Sequence, residues 1–254
     1  MKAPLKEALA LEYGARKTPV ISASHGVIPR SLDEDGETVP DPHAWHNLAN
    51  TELYISNITR PDIAFSVSAL ARSCSNPTAR HMRLLCGVAR YLAGTKEAGL
   101  ALGKEGLGGG RLEGYSDSDY AGCTDTRRSR TAFLFTLGGA VSWGSKLQTS
   151  VAKSTAEAEY IAFSTATSQA VYLKEVGKFL GVPGAGEPLV LKGDNQASLF
   201  MVNNGAESSR VKHIDVTHHF VRDQVVRGNV RVTYVPTAEN AADLFTKPLA
   251  GERH

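Results

Sequence analysis

Four stretches of the chain place carboxylates where an acid is unusual or well sited for chemistry. Asp117 and Asp119 lie two residues apart in YSDSDYAG, so in an extended segment both project to one face, although strand interiors disfavour Asp. Either the pair serves a site or the strand has already ended and both are turn residues. In STAEAEYIAFSTATSQAVYLKEVG the 100° helical step separates two candidates. With Glu159 at zero, Ala162, Phe163, Ala166, Ala170, Leu173 and Gly177 fall within about 60° of it, whereas Glu157 falls among Ser164, Ser168 and Glu175. Glu159 therefore heads an apolar stripe, where a lone acid is costly unless paired, neutral or metal-bound; the other reading is an acid favoured near the helix start by the dipole. Asp194 closes PLVLKGD, either as a group at a strand terminus where a site can form or as an N-cap. Asp243, in PTAENAADLFTKPL, falls just inside the last expected helix, where the dipole favours an acid in any case. Carboxylates gathered in one place repel without cations, and hard oxygen ligands suit Mg²⁺ or Mn²⁺. Two such ions about 4 Å apart can activate a water and stabilise the leaving oxygen in phosphodiester hydrolysis. No GxSxG or HExxH is present, and His213, His218 and His219 miss the four-residue step of a helical zinc pair.

The elements that must position these acids follow from pattern. Residues 1–42, with Pro4, Pro19, Pro29, Pro40 and Pro42, form a loop-rich tail. Residues 43–102 form a helical segment containing a two-helix hairpin. Its first helix starts at Pro61 and carries Ile63, Val67, Leu70 and Ala71 on one side; its second is capped by Asn76 and stopped by Gly94. GKEGLGGG at 103–110 is a linker or turn, with no Lys-Ser or Lys-Thr to make a phosphate loop. LEGYSD, TAFLFTL and AVSWGS then predict an antiparallel meander. Ser154 opens a long helix to about Leu180, followed by a buried strand PLVLKGD and a short helix from Asn195. A helix from about Ile214 to Arg227, a strand NVRVTYV and a final helix from about Ala238 complete the chain. The order βββαβααβα predicts an α/β domain, a mixed sheet with helices, over 111–250.

Composition narrows the field. Lys plus Arg is 28 against 26 Asp plus Glu, a net +2, so a nucleic-acid role must come from local patches. Arg127, Arg128 and Arg130 in the meander turn, with Lys146 and Lys153, can meet phosphates or serve as solvated turn charges. Arg210, Lys212, His213, His218 and Arg222 form a second basic segment, with His218 and Arg222 four apart on one helix face. Cys74, Cys86 and Cys123 are odd in number and form no CxxC, which argues against a disulfide framework or zinc knuckle and fits a reducing compartment. No apolar run approaches a membrane span, so the expectation is a soluble, unexported chain.

Taken together, YSDSDYAG, DTRRS, VSWGSKLQ, STAEAEYIA, GDNQAS, SRVKHIDVTHHFVRD and YVPTAENAADLFTKPL resemble, in order, the C-terminal part of the Pol polyprotein of copia-type LTR retrotransposons, ending in its ribonuclease H domain. Upstream, TRPDIAFSVSALAR and SNPTARHMRLLCGVARYLAGT resemble the reverse-transcriptase thumb or connection of the same polyproteins, so the resemblance covers roughly 43–249. It implies a ribonuclease H-like mixed sheet flanked by helices, preceded by the helical hairpin. It also implies metal-dependent cleavage of the RNA strand of RNA:DNA hybrids during reverse transcription. Carried over position by position, the acids are Asp117, Glu159, Asp194 and Asp243, holding two Mg²⁺ ions, with Mn²⁺ as the substitute; Asp119 becomes a neighbour. The implied partners are the hybrid and an upstream reverse-transcriptase domain, with no membrane, and the implied location is the cytoplasm or virus-like particles. Two departures stand out: the polymerase palm is absent, and HNLANTELYISNI is more polar than the family pattern. The alternative is therefore a catalytically silent, retrotransposon-derived remnant that binds nucleic acid or a polymerase.

Overall fold

The computed structural model describes residues 39, 41–103, 110–204 and 212–247, giving the backbone alone for 204 and 212–218. The tail at 1–38 and most of the Gly-rich stretch at 103–110 lie outside these residues. The chain divides into two compact units, one reaching Leu100 and the other spanning Ala101–Thr246.

The first unit is helical. Helix α1 (Pro42–Ile58) starts where Asp41 accepts the N–H groups of His43 and Ala44 at 2.9 and 3.2 Å, with Pro42 in the first turn, where a missing N–H costs nothing. A 3-10 turn (Pro61–Ile63) leads into α2 (Ala64–Leu70), and a second turn (Ala71–Ser73) leads on to α3 (Ala79–Gly94). Trp45, Leu48, Ile63, Val67, Leu70, Leu85, Val88 and Leu92 share one core. Arg60 ties α1 to the far end of α3: its Nε donates to Asp62 at 2.9 Å and its Nη1 to the Thr95 carbonyl at 3.1 Å.

Two expectations change here. The unit holds a third helix, α1, beyond the predicted hairpin. Its inward positions are Trp45, Leu48, Ala49, Glu52 and Ser56, and the two polar members break the apolar period by which a helix is read. The cap of α3 is Thr78, not Asn76. Thr78 is extended and forms a reciprocal capping box with His81, while the Asn76 N–H closes the preceding turn onto the Ser73 carbonyl.

Glu52 is 0% exposed, and neither carboxylate oxygen has a hydrogen-bond partner among the described residues. Burial pushes its pKa well above the ordinary 4.5. A raised carboxyl contributes its stability in the neutral form, fully below the unfolded pKa and progressively less as pH rises. Glu52→Leu is therefore expected to stabilise this unit at pH 7 by about 2 kcal/mol and to flatten its loss of stability between pH 5 and 8. Denaturant unfolding across that range checks both.

The second unit is a five-stranded mixed sheet in the order β3-β2-β1-β4-β5. Strands β1 (Glu113–Asp119), β2 (Arg130–Thr136) and β3 (Ala140–Leu147) form the predicted antiparallel meander, with Asp117 opposite Ala132. β4 (Leu189–Gly193) runs parallel to β1, and β5 (Val230–Tyr234) parallel to β4. Helix α4 (Thr155–Phe179), capped by Ser154, packs against β1 and β2. Helices α5 (Gln196–Asn204) and α6 (Lys212–Val226) complete the unit. The expected ribonuclease H-like arrangement, a mixed sheet flanked by helices, is the one observed.

The α4 stripe is buried as the wheel predicts, through Glu159, Ala162, Phe163, Ala166, Ala170 and Gly177. Leu173 is half-buried, and Lys174 is a buried addition, its Nζ donating to the Gly228 carbonyl at 2.9 Å beyond the end of α6. The final helix from Ala238 is instead two 3-10 turns, Thr237–Glu239 and Ala241–Phe245. Asn240 between them is extended (φ −75°, ψ 100°) and interrupts the helical path. Its Oδ1 accepts the Ala242 N–H at 3.2 Å and its Nδ2 donates to the Ser116 carbonyl at 3.0 Å.

Candidate metal centre

β1 carries the first acid. Asp117 is 4% exposed and sits on the central strand opposite Ala132 of β2, two residues beyond the last pair of β1 with β4, Tyr115 and Lys192. The Thr246 hydroxyl donates to Asp117 Oδ2 and also lies 3.3 Å from the Asp243 carbonyl. This leaves the carboxylate oriented by a residue 129 positions away in sequence.

Glu159 comes from the second turn of α4 and is also 4% exposed. Its placement depends on Gly193. A Cβ there would lie 2.3 Å from Phe163 Cζ, so only glycine lets Phe163 settle on the end of β4. That contact brings Glu159, one turn earlier on the same stripe, level with the next residue, Asp194. The carboxylates of Asp117, Glu159 and Asp194 each offer an oxygen within 4.8 Å of the others, and among the described residues this is the one group of three or more acidic, His or Cys ligands so arranged.

The electrostatics follow from this crowding. Glu159 is pushed up to about 9, first by burial and then by the charges of Asp117 and Asp194, against the lowering effect of a hydrogen bond from the Ser118 N–H. Its Oε2 is buried with no hydrogen-bond partner among the described residues. Asp243 is buried on the Ala241–Phe245 turn and its charge also raises Glu159, but it is outside the converging three.

The remaining acids separate from the cluster. The Arg130 N–H donates to Asp119 Oδ1, so Asp119 fastens the start of β2. Glu157 accepts the Lys153 N–H at 2.9 Å, and its own N–H meets Ser154 Oγ at 3.2 Å, which makes it part of the helix start. Asn195, not Asp194, caps α5, its Oδ1 accepting the Ser198 N–H at 2.9 Å. Asp194 is thereby released from the capping role.

Among the basic residues, Arg127, Lys146, Lys153 and Arg222 are exposed and Arg128 is half-buried. Arg127 sits at φ 53°, at the tip of a turn closed by its N–H on the Cys123 carbonyl at 2.8 Å. Arg130 departs from the expected turn position: it begins β2, is 4% exposed, and reaches Ser145 Oγ at 3.2 Å. Being buried, it offers little to a phosphate. Arg210 and the side chains of Lys212, His213 and His218 lie outside the described residues.

Three polar residues at the centre had no signal of their own in sequence. Thr246, Asn240 and Gln148 all fall within or beside recognised motifs, yet an uncharged side chain carries no periodicity or ligand spacing that marks it.

No protein-family profile matches the chain. It is 36% identical over 228 residues to the retrovirus-related Pol polyprotein from transposon TNT 1-94 of Nicotiana tabacum, covering 89% of this chain and 17% of that protein. It is 35% identical over 223 residues to the corresponding polyprotein from transposon RE2 of Arabidopsis thaliana, covering 87% of this chain and 15% of that protein. The chain thus spans about one-sixth of the length of these relatives. Among solved structures, a ribonuclease H1 from the halophilic archaeon Halobacterium salinarum aligns over 54% of this chain and 94% of its own, at 19% identity and a TM-score of 0.39. From its identity to such polyproteins over nearly nine-tenths of its length, the chain belongs to the Pol family of copia-type LTR retrotransposons.

Proposed function

We propose that the Ala101–Thr246 unit is a metal-dependent endoribonuclease that cleaves the RNA strand of RNA:DNA hybrids during retrotransposon reverse transcription. The observation that carries this reading is the meeting of Asp117, Glu159 and Asp194, from three separate elements, within 4.8 Å.

The donor set fits divalent cations. All three ligands are hard carboxylate oxygens, as Mg²⁺ and Mn²⁺ prefer, and the unpartnered Glu159 Oε2 is a buried acceptor lacking a positive partner. Asp117, Glu159 and Asp194 would hold the ions, with Asp243 at the edge of the set. When bound, two Mg²⁺ ions, or Mn²⁺, supply a water made nucleophilic and a stabilised leaving oxygen. The chain's own contribution is position. β1 and α4 hold two carboxylates away from bulk water, the Thr246 hydroxyl orients Asp117, and Asp194 is half-buried. Exposed Arg127, Lys146, Lys153 and Arg222, with half-buried Arg128, would contact phosphates of the hybrid and set its register without reading sequence. Arg210, Lys212, His213 and His218 are proposed as further phosphate contacts from the sequence alone. An upstream reverse-transcriptase domain, to which residues 43–102 would connect, is the expected partner. Action in the cytoplasm or in virus-like particles follows from that role; no described helix is long and apolar enough to cross a membrane.

A second reading, a silent remnant that binds nucleic acid or a polymerase, draws on one specific observation. Glu52 is an unpartnered carboxyl in the helical core, a feature that weakens packing and does no chemistry.

Two outcomes test the enzyme. Asp194→Asn is expected to reduce metal-dependent cleavage of a labelled hybrid by about a hundredfold or more, beyond what loss of an outer partner costs, with hybrid binding nearly unchanged. Equal loss of binding and cleavage in a gel-shift and cleavage pair would sink the assignment. The second outcome concerns pH. Glu159, raised from 4.5 to about 9, contributes stability in its neutral form below pH 4.5 and loses it as pH rises towards 9. The cation-free protein should melt at falling temperatures from pH 5 to 9, and Glu159→Gln should flatten that decline. Mn²⁺ at pH 8 should raise the melting temperature of the wild type and leave Glu159→Gln nearly unmoved, as thermal melts in chelator and in Mn²⁺ will show.

A further inference from the structure

Gln148 follows the last residue of β3, at the end of VSWGSKLQ, and is 5% exposed. Its backbone N–H is fixed on the Ser129 carbonyl at 2.8 Å. Its side-chain Nε2 reaches three acceptors: the Ala158 carbonyl at 2.9 Å, Thr131 Oγ1 at 3.1 Å and Ser118 Oγ at 3.3 Å. These belong to α4, β2 and β1. The amide orientation is set by the Ala158 carbonyl, which can only accept, so nitrogen must face it.

This geometry is poor value as a stabilising device. Two hydrogens serve three acceptors, and Oε1 is buried without a partner among the described residues, which costs free energy. The acceptors do not need Gln148 either. Ala158 lies inside α4, where its carbonyl has the ordinary helical N–H, and the Ser118 hydroxyl also reaches the Asp119 carbonyl at 3.3 Å. What the three contacts do achieve is local and specific. Ala158 precedes Glu159, and Ser118 follows Asp117. Ser118 also gives its backbone N–H to the Glu159 carboxylate. One amide therefore joins the residue beside each buried acid.

We infer that Gln148 is a positioning residue for the cation centre: by clamping Ala158 of α4 to Ser118 of β1 and Thr131 of β2, it sets the separation of the Glu159 and Asp117 carboxylates. The inference rests on the cation-centre reading above. Among the described residues Gln148 makes no hydrogen bond to either acid, and it acts through the three elements it joins.

The test uses the full chain and Mn²⁺ alone as the probe, with binding followed by loss of the free-ion electron paramagnetic resonance signal. Gln148→Met keeps the side chain's length and removes its hydrogen bonds. The expected result is an apo melting temperature within about 3 °C of wild type, with Mn²⁺ affinity about tenfold weaker or more. In hybrid cleavage at fixed Mn²⁺, kcat should fall while KM for the hybrid holds. Wild-type Mn²⁺ affinity in a folded Gln148→Met overturns the positioning role. Should Gln148→Met fail to fold, Gln148→Asn, one methylene shorter and out of reach of the Ala158 carbonyl, must show the same loss of affinity; normal affinity there reduces Gln148 to packing. Absence of Mn²⁺ binding by the wild type is a separate result, which removes the cation centre itself.

Discussion

Mutual repulsion among buried carboxylates is the constraint to which the sheet unit is fitted. Two like charges 4 Å apart repel by about 4 kcal/mol at an effective dielectric near 20, and Asp117 and Glu159 are both about 4% exposed. Such an arrangement does not arise from local preference. It is held by apolar packing elsewhere: Phe135, Phe163, Leu191, Val221 and Val230 share a core in which α4 is pressed against the sheet. Burial and the charges of Asp117 and Asp194 raise Glu159 to about 9, which favours its neutral form. The raised Glu159 and the packed α4 stripe are two expressions of one balance.

The same constraint accounts for the irregular end of the domain. A regular helix after β5 would run past the centre on its own hydrogen bonds. Instead Asn240 breaks the helical path and bonds the Ser116 carbonyl at 3.0 Å, one residue before Asp117. The Ser145 hydroxyl of β3 then holds the Phe245 carbonyl at 2.6 Å. The short Ala241–Phe245 turn is thereby fastened to both the central strand and β3, which delivers Thr246 to Asp117 and buries Asp243 nearby. Side-chain bonds replace helical ones where the chain must stop close to an acid.

These cases explain what could be read from sequence. Glu159 was legible because a periodic helix converts sequence spacing into direction, and an acid on the apolar stripe of α4 is visible as an exception. The meander and the buried strand β4 were legible as short apolar runs bounded by turn residues. Asp194 was ambiguous until Asn195 was found to be the cap, since both residues cap helices well. Helix α1 was missed because Glu52 and Ser56 occupy core positions, and the last helix was over-read because an Asn in AENAADLF carries no signature of an extended break. Arg130 was misplaced by one element: a run of basic residues reads as a turn, whereas its last member had already joined β2. Gln148 and Thr246 were illegible as individuals, since their meaning lies in partners 10 and 129 positions away.

Glu52 and Glu159 show why burial alone is not a functional signal. Both carboxyls are buried, both are raised by desolvation, and both carry an oxygen without a hydrogen-bond partner. Glu159 has two further acids within 4.8 Å, so its burial joins it to a shared electrostatic problem that one class of ligand resolves. Glu52 faces an apolar helical core, where the Cys86 thiol is raised chiefly by burial and then by the Glu52 charge. No cation is called for there, and an apolar side chain of similar volume would relieve the cost. Identical local physics thus marks a candidate centre in one unit and a packing fault in the other, and the difference lies in what the neighbouring elements bring within a few ångströms.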